Sequence, residues 1–289
     1  MMTCLVSAFN VEDVDLEEAI VEVAAVVGER PQLVHTRPGQ PWVGLTRDCA
    51  VHIAFDERTR NRIREEAERL AWAARSGIPV PAVVEFRPDW LATTRAVNDG
   101  VTSGRAYVEA AIEAARAIAG APEPPPSLRA PVAAHGGGRR AGLVRLSRIV
   151  RSPLSPGEFR AVRAEAGLLP RDALAHGDYV LHNILFDAAK QSVTIIDWEF
   201  LTRAPADQDL LMLWPRLEEA DDRALVLEEV ERTTKDRRAA GVLHHWLAVR
   251  FLADLVTKFP PADWNRARIE AAAARLREAR ANRARWDSG

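Results

Sequence analysis

In TRNRIREEAERLAWAARSG, the apolar positions Ile63, Ala67, Leu70, Ala71 and Ala74 recur at helical spacing and predict a helix that Gly77 ends. Upstream, DLEEAIVEVAAVV reads as an amphipathic helix near residues 16–28. Two β-like runs lie between these helices, QLVHTRPG and CAVHIAF, with Gly39 and Gly44 in the connection. After Gly77, IPVPAVVEF is extended because its prolines forbid helix, and WLATTRAV is a further strand. Gly100 closes this β-rich stretch. A helix is predicted near 103–119, and residues 120–142, with APEPPPSLRAP and HGGGRR, read as a loop, HGGG being a surface connection rather than a phosphate cradle. SPGE, Ser155 to Glu158, reads as a capping box with proline at the first helical position. Most of the later chain is helical, ending in an Arg/Ala-rich helix near 262–285. Its arginines, from Arg266 to Arg285, read as a solvated face. The sum is an α+β chain: a small β-rich lobe over residues 1–100 and a larger helical lobe over 101–289.

Composition narrows the class. The 289 residues are 47% hydrophobic and 28% charged, ordinary for a globular chain, and a net charge of -2 argues against a general nucleic-acid binder. Cys4 and Cys49 are too few for a disulfide framework or a cysteine-rich zinc site. The opening residues carry acids early and lack the basic region of a secretory signal, and no run of about 18 apolar residues is present, so the expectation is a cytoplasmic protein with no membrane span. Of the 39 basic residues only Lys190, Lys235 and Lys258 are lysines, so the β-rich lobe has none.

Chemistry concentrates in LAHGDYVLHNILFDAAKQSVTIIDWEF. Ile184 to Phe186 and Val193 to Ile196 are short β-like runs joined by polar residues, a plausible hairpin. Asn183 enters the first strand and Asp197 leaves the second, so the hairpin predicts them as neighbours at its open end, fed by the loop that carries Asp178. Close carboxylates repel unless a cation neutralises them or one keeps its proton. Oxygen ligands from Asp and Asn suit a hard cation, and magnesium completes its shell with phosphates and water, which points to a nucleotide.

HGDYVLHN followed by IIDWE resembles the aminoglycoside phosphotransferase and choline kinase family, a branch of the protein-kinase-like fold. The resemblance implies that Asp178 is the catalytic base for a substrate hydroxyl, and that Asn183 and Asp197 hold Mg2+ on ATP or GTP. REEAERLAWAARSGIPVPAVV resembles the first-lobe helix and following strand, and puts Glu66 where the family pairs a glutamate with a nucleotide-anchoring lysine. WLATTRAVNDG resembles the strand and linker where the base docks, with Arg95 and Val97 offering backbone groups. Gly39 stands where the family has its phosphate-covering loop, although RPGQPW departs from that pattern. The lysine itself is missing. His52 is nearest in register, with Arg37 and Arg47 as other candidate replacements.

The family includes kinases for aminoglycosides, macrolides, other antibiotics, choline and homoserine, so the resemblance implies a small-molecule kinase, with an antibiotic acceptor in a resistance or self-protection role. A polycationic aminoglycoside would need a strongly acidic cleft. The chain leans instead toward a neutral or weakly charged acceptor. The missing lysine keeps a pseudokinase-like binding protein as the competing class. A metal-dependent hydrolase built on His176, Asp178 and His182 ranks third. His176 and Asp209 read as loop braces, and Trp198 and Trp214 as core.

Overall fold

The computed structural model describes residues 16–35, 39–129, 154–258 and 263–288. The chain divides into two compact units. One comprises Met1–Val97 with Thr194–Trp198, the other Asn98–Val193 with Glu199–Gly289.

The first unit is a five-stranded antiparallel sheet with two helices. α1 (Leu16–Val27) is followed by β1 (Gln32–His35), β2 (Trp42–Leu45), β3 (Cys49–Ile53), α2 (Glu57–Arg75), β4 (Val83–Arg87) and β5 (Trp90–Thr94), in the sheet order β1-β2-β3-β5-β4. β2 fills what reads in sequence as a connection. Its Gly44 pairs with Leu33 and Val51, and a Cβ there would stand 3.0 Å from the Pro31 side chain. The glycine is thus a close-packing position inside a strand rather than a turn. Strand alternation on β3 is clean: Cys49, Val51 and Ile53 are buried in a cluster with Ala19, Ile20 and Val23 of α1. Ala50 and His52 therefore face away from that cluster. α2 starts two residues before the sequence expectation because Asp56 caps it: Thr59 N–H donates to Asp56 Oδ1 at 2.7 Å, and Asp56 N–H to Thr59 Oγ1 at 3.0 Å. Its buried face, with Ile63, Ala67 and Leu70, follows the apolar spacing of the sequence.

The second unit is mainly helical. α3 (Arg105–Ala119), α4 (Pro156–Ala166), α5 (Gln208–Leu213), α6 (Ala220–Thr233), α7 (Arg237–Lys258) and α8 (Asp263–Asp287) surround short strands. β6 (Ala173–Ala175) pairs antiparallel with β9 (Thr202–Ala204), and β7 (Ile184–Asp187) forms a two-stranded sheet with β8 (Ser192–Ile195). Most of the 120–142 loop lies outside the described residues. α4 starts at Pro156 as the sequence predicts, but Ser155 makes no side-chain cap. Glu158 is drawn elsewhere, to Arg280 and, at 2.9 Å, to His245. α8 is likewise more than a solvated face. Arg283 pairs with Glu165 at 2.7 Å, Arg275 donates to the Leu217 carbonyl at 2.9 Å, and Arg285 pairs with Glu231. α7 is long and apolar enough to cross a membrane by composition, yet 67% of its apolar window is buried within the protein, as in a core helix.

α7 also carries His244, fully buried edge-on to Trp214 at 4.3 Å between ring centroids, with neither ring nitrogen hydrogen-bonded among the described residues. Burial, with a smaller push from His245, drives its pKa down to about 3. The folded state thus holds His244 neutral while the unfolded chain protonates near 6.5. Its contribution is complete above pH 6.5 and declines as pH falls toward 3, by about 1.4 kcal/mol per pH unit. In urea melts at pH 7 and pH 4.5, His244→Phe should lose about 2–3 kcal/mol less stability than the wild type. Equal losses in both proteins would refute this.

Candidate active site

In the first unit the free face of β3 supplies His52. The facing helix α2 supplies Glu66, and His52 Nδ1 lies 2.8 Å from Glu66 Oε2, both side chains about a quarter exposed. The pairing expected from sequence register is therefore present. Burial lowers the imidazole pKa, but the charge and hydrogen bond of Glu66, with the charge of Asp197, outweigh it and leave the pKa raised. Asp197 belongs to the same unit. Its neighbours along the chain are anchored there: Ile195 N–H donates to the Pro79 carbonyl at 2.8 Å, and the Trp198 indole N–H donates to the Ile195 carbonyl at 3.1 Å. Trp198 is buried and meets Trp72 of α2 edge-on. Asp197 itself is exposed, in a left-handed conformation at φ 64° that aspartate tolerates better than most residues.

In the second unit the loop after β6 presents Asp178. Gly177 turns the chain at φ +81°, and a Cβ there would stand 2.4 Å from the Phe200 carbonyl oxygen, so glycine is required by both backbone and space. Asp209, at the start of α5, holds the loop from beneath by accepting the backbone N–H groups of His176 at 2.7 Å and Gly177 at 3.2 Å. Burial pushes the Asp209 carboxyl up to about 7, against the pull of those two donors and with the help of the Asp178 charge. His176 is buried edge-on to Tyr179, whose hydroxyl donates to the Ala111 carbonyl at 2.6 Å. Trp214 is buried as well. A short 3-10 turn, Leu181–Asn183, then returns Asn183 to Asp178. Asn183 Nδ2 donates to the Asp178 carbonyl at 3.0 Å and reaches Asp178 Oδ2 at 3.3 Å. The base candidate and the amide are thus one hydrogen-bonded pair.

Gly39 turns the chain between β1 and β2 at φ +75°. Arg37 lies outside the described residues. Arg47 sits in the β2–β3 turn, where its N–H donates to Glu29 Oε2 at 2.8 Å. Arg95 N–H is occupied by the Asp48 carbonyl at 2.7 Å and its guanidinium by the Thr46 carbonyl at 2.9 Å, so the backbone group it can still offer is its carbonyl. Val97 is exposed at the end of the unit. Two residues escaped the sequence reading. Arg62 of α2 donates to the Gln40 side chain, and Arg58 comes within 3.4 Å of where a Gly39 Cβ would be. The arginines stand four apart at the start of a helix, a spacing that puts both on one face, but only the folded β1–β2 connection shows what they face. The hydrolase ligand set is not assembled: His176 is buried, His182 is exposed, and among the described residues no three His, Cys, Asp or Glu side chains cluster to hold a metal.

No curated protein matches the sequence. Solved structures do match the fold. APH(2'')-IIa, in its ternary complex with streptomycin and ATP, gives a TM-score of 0.62 at 13% identity, covering 92% of this chain and 96% of that one. A choline/ethanolamine kinase family protein from Mesorhizobium loti gives 0.53 at 18% identity, with 94% and 99% covered. The macrolide 2'-phosphotransferase MphH from Brachybacterium faecium gives 0.54 at 16%, with 90% and 98% covered. At such identities the likeness is one of fold, and that fold is the kinase-like one expected from the sequence. The family model that describes a phosphotransferase enzyme family matches residues 33–243, a span that takes in His52, Glu66, the Asp178 loop and Asp197. The chain belongs to that phosphotransferase family.

Proposed function

We propose that the protein transfers the γ-phosphoryl group of ATP or GTP to a hydroxyl of a small molecule, with an antibiotic as the acceptor in a resistance or self-protection role. The observation that carries the reading is the Asp178–Asn183 pair on its glycine turn. Asp178 is a partly buried carboxylate held by an amide that stays beside it, so it can accept a hydroxyl proton as the oxygen attacks phosphorus. Asn183 spends its NH2 group on Asp178, which leaves Oδ1 as an oxygen donor, and Asp197 offers an exposed carboxylate. Each is a hard oxygen donor of the kind that would hold Mg2+, which when bound would supply positive charge against the negative charge developing in the transfer. The Arg95 carbonyl and Val97 would meet the base, and Gly39 would approach the phosphates with Arg58 and Arg62 close by. A screen of phosphate transfer from ATP and from GTP across antibiotic classes, amino alcohols and sugars tests the reading. Transfer to at least one acceptor, lost in Asp178→Asn, is expected. Magnesium-dependent binding of nucleotide with no transfer or slow hydrolysis would favour the pseudokinase-like alternative, which the absent lysine keeps open.

His52 would take the place of that lysine. Its charged form would hold phosphate, with Glu66 fixing the ring. Because its pKa is raised from 6.5, the positive charge persists above that pH and is lost as pH rises through the raised value. Nucleotide affinity should fall over that same interval. His52→Lys should flatten the dependence and keep or improve affinity, and His52→Ala should weaken it by about tenfold, the worth of one hydrogen bond to a charged group. Titration calorimetry across pH 5.5–8.5 (about the range in which histidine titrates) reads both. Unchanged affinity in His52→Ala removes the role.

A further inference from the structure

Arg216 closes the short 3-10 turn Trp214–Arg216 after α5, in the same unit as Asp178. Its Nη1 donates to the Met212 carbonyl, and its guanidinium lies 5.2 Å from the ring centroid of Phe251 on α7, in cation–π range. Burial draws its pKa down to about 10, while Asp178 raises it, Arg250 lowers it and Asp254 raises it. Asp178 is therefore within electrostatic reach of it. Yet among the described residues no carboxylate forms an ion pair with Arg216. Asp254 stands 4.0 Å from Arg250 instead. Other arginines of this unit behave differently: Arg116 bridges Asp207 and Glu229, each at 2.9 Å, and Arg283 clamps Glu165. A guanidinium partly withdrawn from water is costly to leave unpaired, and of its five donors one is spent on Met212. The protein tolerates that cost within electrostatic reach of the carboxylate assigned to receive the acceptor.

We propose that Arg216 is the acceptor-specificity residue, and that the hydroxyl-bearing substrate carries an anionic group, a carboxylate or a phosphate, which Arg216 binds. The inference rests on the reading of Asp178 as the base that meets the acceptor hydroxyl. Phe251 lies in cation–π range of the guanidinium, and the donors beyond the one given to Met212 suit a two-point grip on a planar or tetrahedral anion. Arg250 adds positive charge within electrostatic reach of Arg216. An acidic acceptor would supply the ion pair that Arg216 lacks among the described residues.

The test uses the full chain, saturated with Mg2+ and a non-hydrolysable ATP analogue, and matched ligands: glucose, gluconate, glucose 6-phosphate and glucosamine. Affinities are read by calorimetry and thermal shift. At least one anionic member should bind about tenfold or more tightly than glucose and glucosamine, as one charge-assisted contact allows. Gluconate and glucose 6-phosphate separate a carboxylate site from a phosphate site. Arg216→Gln should erase the preference while leaving affinity for the ATP analogue unchanged, and Arg216→Lys should restore part of it. Preference for glucosamine, no binding of either anionic member, anion binding intact in Arg216→Gln, or a loss of nucleotide affinity in its place would each overturn the proposal. If Arg216→Gln does not fold, the wild-type ranking and Arg216→Lys decide. Phosphate transfer from ATP is scored separately. Anion binding without transfer sinks the phosphotransferase reading and leaves the anion site standing, whereas transfer to glucose or glucosamine alone does the reverse.

Discussion

Asp178→Asn is expected to lower the transfer rate by about 10²–10⁴-fold, the usual worth of a positioned general base, while nucleotide affinity stays near wild type. The substitution is nearly isosteric, and the loop that presents it does not depend on the carboxylate. Gly177 sets the turn, Asp209 holds the backbone of His176 and Gly177 from beneath, and Asn183 reaches the Asp178 carbonyl oxygen as well as its side chain. What the variant's amide lacks is the ability to take a proton. The proper readout is therefore kcat, with calorimetric nucleotide Kd as the control. Turnover within a few-fold of wild type would remove Asp178 as the base. Collapse of both nucleotide binding and melting temperature would show instead that the residue is structural.

The Asp178 loop was legible in sequence because its chemistry is local. Asp178 and Asn183 are five residues apart, and the pair closes through a single 3-10 turn. The strand that carries His52 was legible because alternation on β3 is strict: once Val51 and Ile53 face α1, His52 has only the other face, and Glu66 follows from the helical phase of α2. Features decided by distant chain were not legible. SPGE has the composition of a capping box, but Glu158 is claimed by Arg280 and His245, which are 122 and 87 residues away. Arg283 and Arg285 look like a solvent stripe until Glu165 and Glu231 are placed opposite them. Gly44 resembles a loop glycine because its reason, the Pro31 side chain across the strand pair, is a tertiary contact. Arg216 carried no sequence signal, since only the fold shows that, among the described residues, no carboxylate forms an ion pair with it.

Asp197→Ala is expected to weaken magnesium-dependent nucleotide binding by roughly 100-fold or more, given that even residues behind a metal's own ligands change affinity by about 10–100-fold. Alanine confuses two effects, however. Asp197 adopts φ 64°, and the left-handed region costs an ordinary residue about 1–2 kcal/mol. Asp197→Asn separates them, because asparagine tolerates that conformation as well as aspartate does, keeps an oxygen donor and removes only the charge. Its melting temperature should stay near wild type, since Ile195 and Trp198 remain anchored to Pro79 and Trp72. Its affinity for nucleotide should fall sharply when Mg2+ is present and change little when Mg2+ is withheld. The His52 imidazole should lose one of its two supporting charges at the same time, so its pKa, followed by NMR, should drop in Asp197→Asn. Equal magnesium-nucleotide affinity in wild type and Asp197→Asn would exclude Asp197 as a metal ligand. An unmoved His52 pKa would show that Glu66 alone sustains the imidazole.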